Sequence, residues 1–327
     1  MVTPFFSIIM ACYNSASFVG KALGSIKSQT FADFEMIFVD DASTDDTLEI
    51  LNAFKDSVPQ SVTVLKNEVN RGPGFSKSRG IEEAKGEYIV CLDSDDWYEL
   101  SYLERMYETI GKENSDIVQC NFNRVYGGAA HPVYHWKSPG ESRSIGFCIV
   151  HAMDSLCMMA IKRELFDGVN MPELFNAEDI AVIPVLVSKA EKMSVIVEPL
   201  YNYYYRPVSL SNNKTIIKPD SFVCAYDFIR DNISDVDKYR EEVQFLGINI
   251  LLYALVFNGI SADIAWSEIK RYIFPFIKQN PHPLRNRYFK TLPLRKRIFI
   301  SAAVHGITPI LKIYAKAHRY ILGKKHY

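Results

Sequence analysis

The segment Gly86-Glu-Tyr-Ile-Val-Cys-Leu-Asp-Ser-Asp-Asp96 is an apolar run that ends abruptly in acidic residues. A short run that is apolar at nearly every position is typical of a strand buried on both faces of a sheet. This run covers 87–92; other strand-like runs occur at 6–11, 34–39 and 62–66, and segments with helical spacing separate the four at 17–29, 47–54 and 76–84. This alternation predicts an α/β fold with a parallel sheet and right-handed crossovers.

Polar residues stand at the carboxyl end of each predicted strand. They are Tyr13-Asn14, Asp40-Asp41, Asn70-Arg-Gly72 and Asp93-Ser-Asp95. Ligands of open α/β sheets bind at the carboxyl ends of the strands, so these four loops are expected to form one site.

The paired carboxylates of Asp93-Ser-Asp95 are oxygen ligands suited to a hard cation. Mg²⁺ or Mn²⁺ takes few ligands from protein and completes its shell with water and substrate phosphates. Such a cation neutralises the charge that a diphosphate gains as it leaves. The alternative is helix capping, because Asp is a favoured cap and a helix is predicted from about Trp97. We assign that capping role to Asp96.

Asp41 and Tyr13 are suited to a nucleobase. A carboxylate can accept the N3–H of uracil, and an aromatic ring can lie against the face of the base. Both Asp40 and Asp41 could instead make turn hydrogen bonds within 40–46. We assign the turn role to Asp40 and the base contact to Asp41.

These motifs together resemble the family 2 glycosyltransferases, which are inverting enzymes of the GT-A fold. The resemblance rests on Ser7–Asn14, Val39–Thr47, Ser78–Ile81 and Gly86–Asp96, which occur in the family's order and spacing. It extends over roughly residues 5 to 212. The fold class implied is α/β, a Rossmann-like GT-A nucleotide-diphospho-sugar transferase domain with a C-terminal all-α extension.

The resemblance implies roles for the donor-side residues. Asp41 would contact uracil with Tyr13 against it, Asn70 and Arg79 would line the nucleotide pocket, Asp93 would lie near the ribose, and Asp95 would bind Mn²⁺ or Mg²⁺. Ala11 would contribute a backbone contact. Many relatives have Pro or Thr at that position, so Ala11 is a mild departure from the family pattern.

Glu178 and Asp179 precede a predicted apolar helix at 180–190. By resemblance, Asp179 is the general base, with Glu178 as the alternative. Inversion is a single displacement, so the acceptor hydroxyl must lose its proton to a group on the face opposite the departing diphosphate. Alone, such a pair would be read as first-turn carboxylates that interact with the helix dipole.

The segment Tyr201-Asn-Tyr-Tyr-Tyr-Arg206-Pro-Val-Ser209 also matches the family, where it ends the catalytic domain. Arg206 could pair with the diphosphate, and Ser209 could donate a hydrogen bond to it. The alternative is an edge strand that carries one solvated arginine. Both interpretations stay open at this stage.

Other enzyme classes fit less well. The glycines at 72 and 74 precede the third helix and lack a third glycine, which disfavours a dehydrogenase. A nucleotidyltransferase would carry a glycine-rich basic loop after the first strand, and 11–17 has neither glycine nor lysine. A non-catalytic nucleotide-sugar-binding module is disfavoured because every required acidic position is filled. No Gln-x-x-Arg-Trp motif is present, which favours addition of one sugar per visit.

The predicted domains are 1–215, catalytic, and 216–327, helical. The chain has 37 basic and 38 acidic residues, but 14 Lys/Arg and no Asp/Glu follow Glu268. This asymmetry predicts an anionic partner. The apolar run 243–257 is shorter than the ~18–20 residues that span a bilayer and predicts a buried helix. The six cysteines lack zinc spacing and suit reduced thiols, and no signal peptide is recognised.

The C-terminal tail predicts an amphipathic helix that starts at Pro309 with Thr308 as its cap. Its predicted apolar face is Ile310, Ile313, Tyr314, Ala317, Tyr320 and Ile321, opposite Lys312, Lys316 and Arg319. This pattern favours an anionic membrane surface as the partner, not nucleic acid. We therefore expect a cytoplasmic protein, peripheral on the inner face of the cell membrane. The expected substrates are a nucleotide sugar and a carbohydrate or lipid-linked acceptor of bacterial surface polysaccharide or glycoconjugate synthesis. Docking of the apolar face within the domain is the alternative.

Overall fold

The computed structural model describes residues 3–138, 143–174, 177–206 and 219–324, with side chains described as far as 318. The chain divides into two compact units, Met1–Ser209 and Leu210–Tyr327. The boundary that we predicted between 215 and 216 lies in 207–218, outside the described residues.

The first unit is built on one mixed sheet whose parallel half matches the prediction. The strands are β1 (Phe6–Cys12), β2 (Phe34–Asp40), β3 (Val62–Lys66) and β4 (Tyr88–Cys91), in the spatial order β3-β2-β1-β4. All three pairings among them are parallel. Helices α1 (Val19–Lys27), α2 (Thr47–Lys55) and α3 (Pro73–Glu83) connect them. The carboxyl ends of β1, β2 and β4 therefore lie side by side.

The other half of the sheet is mixed and continues from β4 in the order β8-β6-β9-β5, with β7 paired to β6; the β6–β9 pairing is parallel and the other four pairings are antiparallel. Its elements are β5 (Trp97–Tyr98), α4 (Tyr102–Glu113), β6 (Ile117–Tyr126), β7 (Ala129–Val133), α5 (Ile145–His151), β8 (Met159–Lys162), α6 (Glu178–Lys189) and β9 (Met193–Tyr204). Strand β7 ends at Val133. Trp136, three residues beyond it, is buried, and its indole N–H donates to Gln119 Oε1 at 2.8 Å.

Helix α3 lies unusually close to the sheet because small residues form its buried face. A Cβ added to Gly80 would stand 2.6 Å from the Ile9 Cγ2 atom in β1. Gly74, two turns earlier, would place a Cβ 2.9 Å from the carbonyl oxygen of Pro172 and 3.2 Å from Glu178 Cβ. Contacts this short require a side chain no larger than hydrogen. The start of α3 is therefore held against the segment that leads into α6.

The second unit is entirely helical in its described residues. Its helices are α7 (Pro219–Asn232), α8 (Arg240–Gly247), α9 (Val256–Ser261), α10 (Trp266–Gln279), α11 (Leu294–His305) and α12 (Thr308–Lys324). A π-helical segment, Ile248–Leu255, joins α8 to α9 into one helix, Arg240–Ser261. The sequence predicted a helix too short to span a membrane, because the apolar run covers only 243–257. The helix in the structure is longer, with 22 residues.

Of the described helices, Arg240–Ser261 alone has the length and apolar character needed to cross a bilayer. Core helices of soluble proteins share these properties, so one such helix is weak evidence for a span. In this unit 67% of its most apolar window is buried. Helices α7, α10 and α11 pack against its π-helical part, as expected for the predicted buried helix.

Candidate active site

The loops at the carboxyl ends of the strands contain strained backbone. Of the five non-glycine residues with positive φ angles in the described part of the chain, three lie next to predicted site residues: Asn14 (47°), Ala42 (59°) and Ala177 (73°). A left-handed conformation is unfavourable for a residue with a Cβ, and alanine lacks the short polar side chain by which asparagine or aspartate can compensate. Such strain persists where the surrounding structure enforces it, and it clusters at functional sites. Tyr13, Asp41 and Glu178 are therefore each adjacent to a residue with a constrained backbone conformation.

Asp41 is buried at the end of β2 and accepts hydrogen bonds from the loop after β3. Its Oδ1 accepts from Asn67 Nδ2 at 2.6 Å and from the Arg71 amide at 3.1 Å, and its Oδ2 accepts from the Gly72 amide at 2.8 Å. A carboxylate has about four acceptor positions, so these three bonds leave one on Oδ2. The predicted base-binding carboxylate is therefore rigidly oriented and retains one acceptor position.

Arg79, which was predicted to line the nucleotide pocket, contacts Asn67 directly. Its Nη1 donates to Asn67 Oδ1 at 2.7 Å and to the Lys66 carbonyl at 2.6 Å. Because Arg79 occupies the amide oxygen, the amide nitrogen of Asn67 points to Asp41. Asn67 was not predicted from the sequence, because its role depends on this chain of hydrogen bonds.

The other donor-side residues lie around the same strand ends. Tyr13 is 48% exposed, so its ring is open to a ligand. Asn70 has a buried Oδ1 with no hydrogen-bond partner among the described residues. Ala11 pairs with Val39 between β1 and β2. Ser209 lies outside the described residues.

Asp95, the predicted metal ligand, forms an ion pair with Arg206, the predicted diphosphate ligand. Arg206 Nε donates to Asp95 Oδ2 at 2.8 Å, and its Nη2 contacts the same oxygen. Burial and the neighbouring Asp93 raise the pKa of Asp95, while Arg206 opposes the shift. The guanidinium also lies 4.3 Å from the centre of the Phe18 ring. The structure therefore brings Asp95 and Arg206 together. In the described structure they bind each other, whereas the predicted roles were to bind a metal ion and a diphosphate.

Asp96 does not cap a helix, so that prediction is wrong. The two residues after it form β5, and α4 begins only at Tyr102. Instead, Asp96 Oδ2 accepts from the Tyr201 hydroxyl at 2.6 Å and Oδ1 accepts from the Tyr204 amide at 2.7 Å. Burial, together with Asp93 and Asp95, raises its pKa well above the usual range. Asp96 thus ties the acidic loop to β9, and both its oxygens are engaged.

The donor set of the acidic loop fits a hard divalent cation. Asp95 supplies carboxylate oxygen, the ligand type that Mg²⁺ and Mn²⁺ prefer, and such ions need few protein ligands when substrate phosphates complete the shell. Within the described residues, no group of three or more His, Cys, Asp or Glu side chains converges as a closed metal site. The loop is therefore suited to a cation that is held jointly by protein and substrate.

Lys77, on α3, is the charged residue at the centre of the site. It is 3% exposed, and its Nζ lies 3.5 Å from Asp93 Oδ1, 3.6 Å from Asp179 Oδ1 and 3.7 Å from Glu178 Oε1. Lys77 was not predicted from the sequence as a site residue. A signal was present, since Lys77 stands midway between Gly74 and Gly80, three residues from each, on the face of α3 that packs against the protein.

The electrostatics of this cluster are unusual because one cation faces three carboxylates. Burial lowers the pKa of Lys77, but Asp179, Asp93 and the remaining acidic neighbours outweigh it and leave the pKa well above its ordinary value. Burial raises the pKa of Glu178 to about 7; Lys77 opposes this shift and Asp179 adds to it. The pKa of Asp179 is also raised, mainly by burial. Its Oδ2 accepts from the Leu156 amide at 3.2 Å.

A pKa near 7 allows a carboxyl group to exchange a proton at neutral pH, which is the property required of a general base or acid. The pKa of Glu178 lies in this range, and that of Asp179 is shifted in the same direction. Lys77 links this pair to Asp93 on the acidic loop, so the residues predicted for the donor side and for the acceptor side form one cluster.

Comparison with known proteins agrees with the sequence resemblance. The family model for glycosyl transferase family 2 matches residues 7–169. The glycosyltransferase GlyG of Streptococcus pneumoniae is 34% identical over 271 residues, which cover 79% of this chain and 86% of that protein. The poly(ribitol-phosphate) beta-N-acetylglucosaminyltransferase TarS of Staphylococcus aureus is 24% identical over 82% of this chain and 48% of its own.

Solved structures share the fold. TarS 1-349 in complex with UDP-GlcNAc superimposes with a TM-score of 0.73 at 21% identity, covering 96% of this chain and 91% of that chain. The mannosyltransferase PcManGT from Pyrobaculum calidifontis, in complex with GDP-Man and Mn²⁺, gives 0.57 at 15% identity, covering 93% and 86%. The GT-A fold with a helical C-terminal region is thereby confirmed. The chain spans between about a third and a half of the first curated relatives that it matches.

The raised pKa of Glu178 predicts a pH-dependent stability. Between the unfolded pKa of 4.5 and the folded value of about 7, the folded state binds more protons, so the free energy of unfolding falls as pH rises and levels off above 7. Glu178→Gln removes this dependence. Urea unfolding should therefore show the variant gaining on the order of 2 kcal/mol relative to wild type between pH 5 and pH 8.

The matched control for this measurement is Glu191→Gln, an exposed carboxylate just beyond α6. Its difference from wild type should stay constant over the same pH range. A constant difference for Glu178→Gln as well would contradict the raised pKa.

Proposed function

Because this chain belongs to glycosyl transferase family 2, with homologues in bacterial cell-wall polysaccharide synthesis, we propose that it transfers a single sugar from a UDP-sugar to an acceptor hydroxyl with inversion. The proposal rests on three features that lie at one end of the parallel strands: Asp41 with its hydrogen-bond donors, the acidic loop 93–96, and the Glu178–Asp179 pair. That is where open α/β sheets bind ligands.

The choice of a UDP-sugar rests on the acceptor position left on Asp41 Oδ2. Uracil presents one ring N–H, at N3, and a carboxylate is the matching acceptor. Tyr13, half exposed beside it, offers a ring face for the base. The structural neighbour TarS binds UDP and UDP-GlcNAc, which agrees with this choice without identifying the sugar for this chain.

In the proposed reaction, Asp179 accepts the proton of the acceptor hydroxyl as its oxygen attacks the anomeric carbon. The bond from that carbon to the diphosphate breaks in the same displacement. Asp179 is suited to this role because the Leu156 amide and Lys77 fix its orientation. Glu178 shares the same cation, and its near-neutral pKa makes it the alternative base. A nearby carboxylate also stabilises the positive charge of the oxocarbenium-like transition state.

On the donor side, Asp93 would face the ribose, Asp95 would hold Mn²⁺ or Mg²⁺, and Arg206 would pair with the diphosphate. The cation, when bound, supplies positive charge to the departing diphosphate. Arg206 would then exchange its carboxylate partner, Asp95, for phosphate oxygens. Guanidinium groups form charge-assisted pairs with either kind of oxyanion, so the exchange keeps the arginine paired.

For the acceptor, we propose a carbohydrate or lipid-linked precursor of a bacterial surface polysaccharide or glycoconjugate. The poly(ribitol-phosphate) named for TarS supports a polymer acceptor in that relative. We place the reaction in the cytoplasm, which agrees with six cysteines that all remain free thiols.

The donor and the metal can be tested together by measuring nucleotide release from UDP-, GDP- and ADP-sugars without acceptor. We expect slow hydrolysis of one UDP-sugar, loss of this activity with a chelator, and its return with Mn²⁺ or Mg²⁺. Asp95→Asn should lower the rate at least about 100-fold, because a ligand of the charge-neutralising cation is lost.

The exposed Asp56→Asn serves as the matched control for this assay and should retain wild-type activity. Preference for a GDP-sugar would overturn the uracil assignment. Undiminished turnover in the presence of chelator, or in Asp95→Asn, would overturn the metal assignment.

The general base can be tested separately from donor binding. Asp179→Asn should lower kcat at least about 100-fold, the usual scale of general-base catalysis, and calorimetry should find UDP affinity close to that of wild type. If Asp179→Asn stays active and Glu178→Gln does not, the base is Glu178. Full activity in both variants would exclude the pair, while Glu191→Gln controls for charge loss at the end of α6.

A further inference from the structure

Exposed aliphatic side chains are concentrated at the C-terminal end of the second unit. Six large aliphatic leucine and isoleucine side chains are exposed in the described residues, and five of them lie between 294 and 313. These five are Leu294, Ile298, Ile307, Ile310 and Ile313. Leu294 is 67% exposed and Ile313 is 69% exposed, so they are largely uncovered side chains.

Helix α12 packs within the unit through residues that the predicted apolar face did not include. Leu311 and Ala315 are fully buried where the helix contacts α9 and α11. Ile310 and Ile313 of the predicted face are exposed, whereas Tyr314 of that face contacts Phe299. The predicted residues Arg319, Tyr320 and Ile321 lie beyond the described side chains. The helix therefore has an apolar face that docks and a second apolar face that does not.

Helix α11 has the same organisation. Phe299 and Ile300 are fully buried, whereas Leu294 and Ile298, one turn apart, are exposed. Gly306, with φ of 70°, ends α11, and α12 begins two residues later and packs back against it. Two adjoining helices thus each bury one apolar set and expose another, so docking within the unit does not explain the exposed set.

Cations accompany these exposed residues. Lys312 and Lys316 are exposed one turn apart on α12. From Ile269 to the end of the chain there are 14 Lys/Arg and no Asp/Glu. The exposed isoleucines are interspersed with lysines, and no acidic residue is nearby in the sequence. Such a surface is complementary to a partner that has an apolar interior and an anionic outer layer.

We propose that Leu294, Ile298, Ile310, Ile313, Lys312 and Lys316, here called the tail surface, bind the surface of an anionic lipid bilayer. The aliphatic side chains would enter the boundary between headgroups and acyl chains, and the lysines would contact anionic headgroups. A second copy of this chain is a poorer occupant, because it would set one acid-free basic segment against another. This attachment is separate from glycosyl transfer. It is attachment to the membrane surface and not a membrane span, because the long apolar helix Arg240–Ser261 is mostly buried within the protein.

The test is co-sedimentation of the full-length protein with lipid vesicles, which requires no turnover and so succeeds or fails independently of the proposed reaction. Wild type should bind vesicles that contain phosphatidylglycerol, not vesicles of phosphatidylcholine alone, and binding should weaken with salt. Ile310→Ser/Ile313→Ser and Lys312→Glu/Lys316→Glu should each weaken binding at least about ten-fold, the first through lost apolar burial and the second through lost charge.

Matched controls carry the same changes elsewhere. Val236→Ser alters an exposed apolar residue flanked by two acids, and Lys55→Glu/Lys112→Glu alters exposed lysines of the first unit; both should bind vesicles like wild type. Equal binding by tail-surface and control variants would overturn the proposal, as would no binding by wild type. If Ile310→Ser/Ile313→Ser changes only the sedimentation velocity of the protein, the occupant is a second copy and the membrane assignment is wrong.

Discussion

The site is organised around one buried ammonium group. Lys77 lies within 3.7 Å of carboxylates from three side chains and is almost completely removed from solvent. An isolated charge in such a place is strongly disfavoured, and removing one partner of a buried ion pair commonly costs about 3–5 kcal/mol. The lysine and the acids therefore require one another. Burial raises the pKa of Asp179 and raises that of Glu178 to about 7, and the single charge of Lys77 opposes these shifts only in part.

This constraint explains features of the backbone that look unrelated at first. Lys77 can reach both Asp93 and the Glu178–Asp179 pair only if α3 lies close to β1 and to the segment before α6, and Gly80 and Gly74 permit that approach. Ala177, in a left-handed conformation, turns the chain directly into the acidic pair. In the proposed reaction the same cluster joins the donor side to the acceptor side, because Asp93 belongs to the loop after β4 and Asp179 to the start of α6.

Structural features that depend on local sequence patterns were predicted correctly. Strands β1 to β4 and the helices between them were predicted because strand-like apolar runs alternate with segments of helical spacing, and the polar residues at the strand ends stood out against that background. Lys77 and Asn67 were missed because their partners are distant in sequence, and Asp96 was misassigned because β5 intervenes before α4. The tail helix was predicted, but Leu311 and Ala315 were not recognised as the residues that pack, because two apolar sets fit the same helical period and only the packing distinguishes them.

The central claim is that the charge of Lys77 opposes the effect of burial on the acidic pair. Carbon-13 NMR of labelled glutamate carboxyl groups, assigned by comparison with Glu178→Gln, would report the titration of Glu178 directly in wild type and in Lys77→Gln. We predict a midpoint near pH 7 in wild type and a midpoint at least about one pH unit higher in Lys77→Gln, because burial would then act unopposed. The same midpoint in both folded proteins would contradict the account.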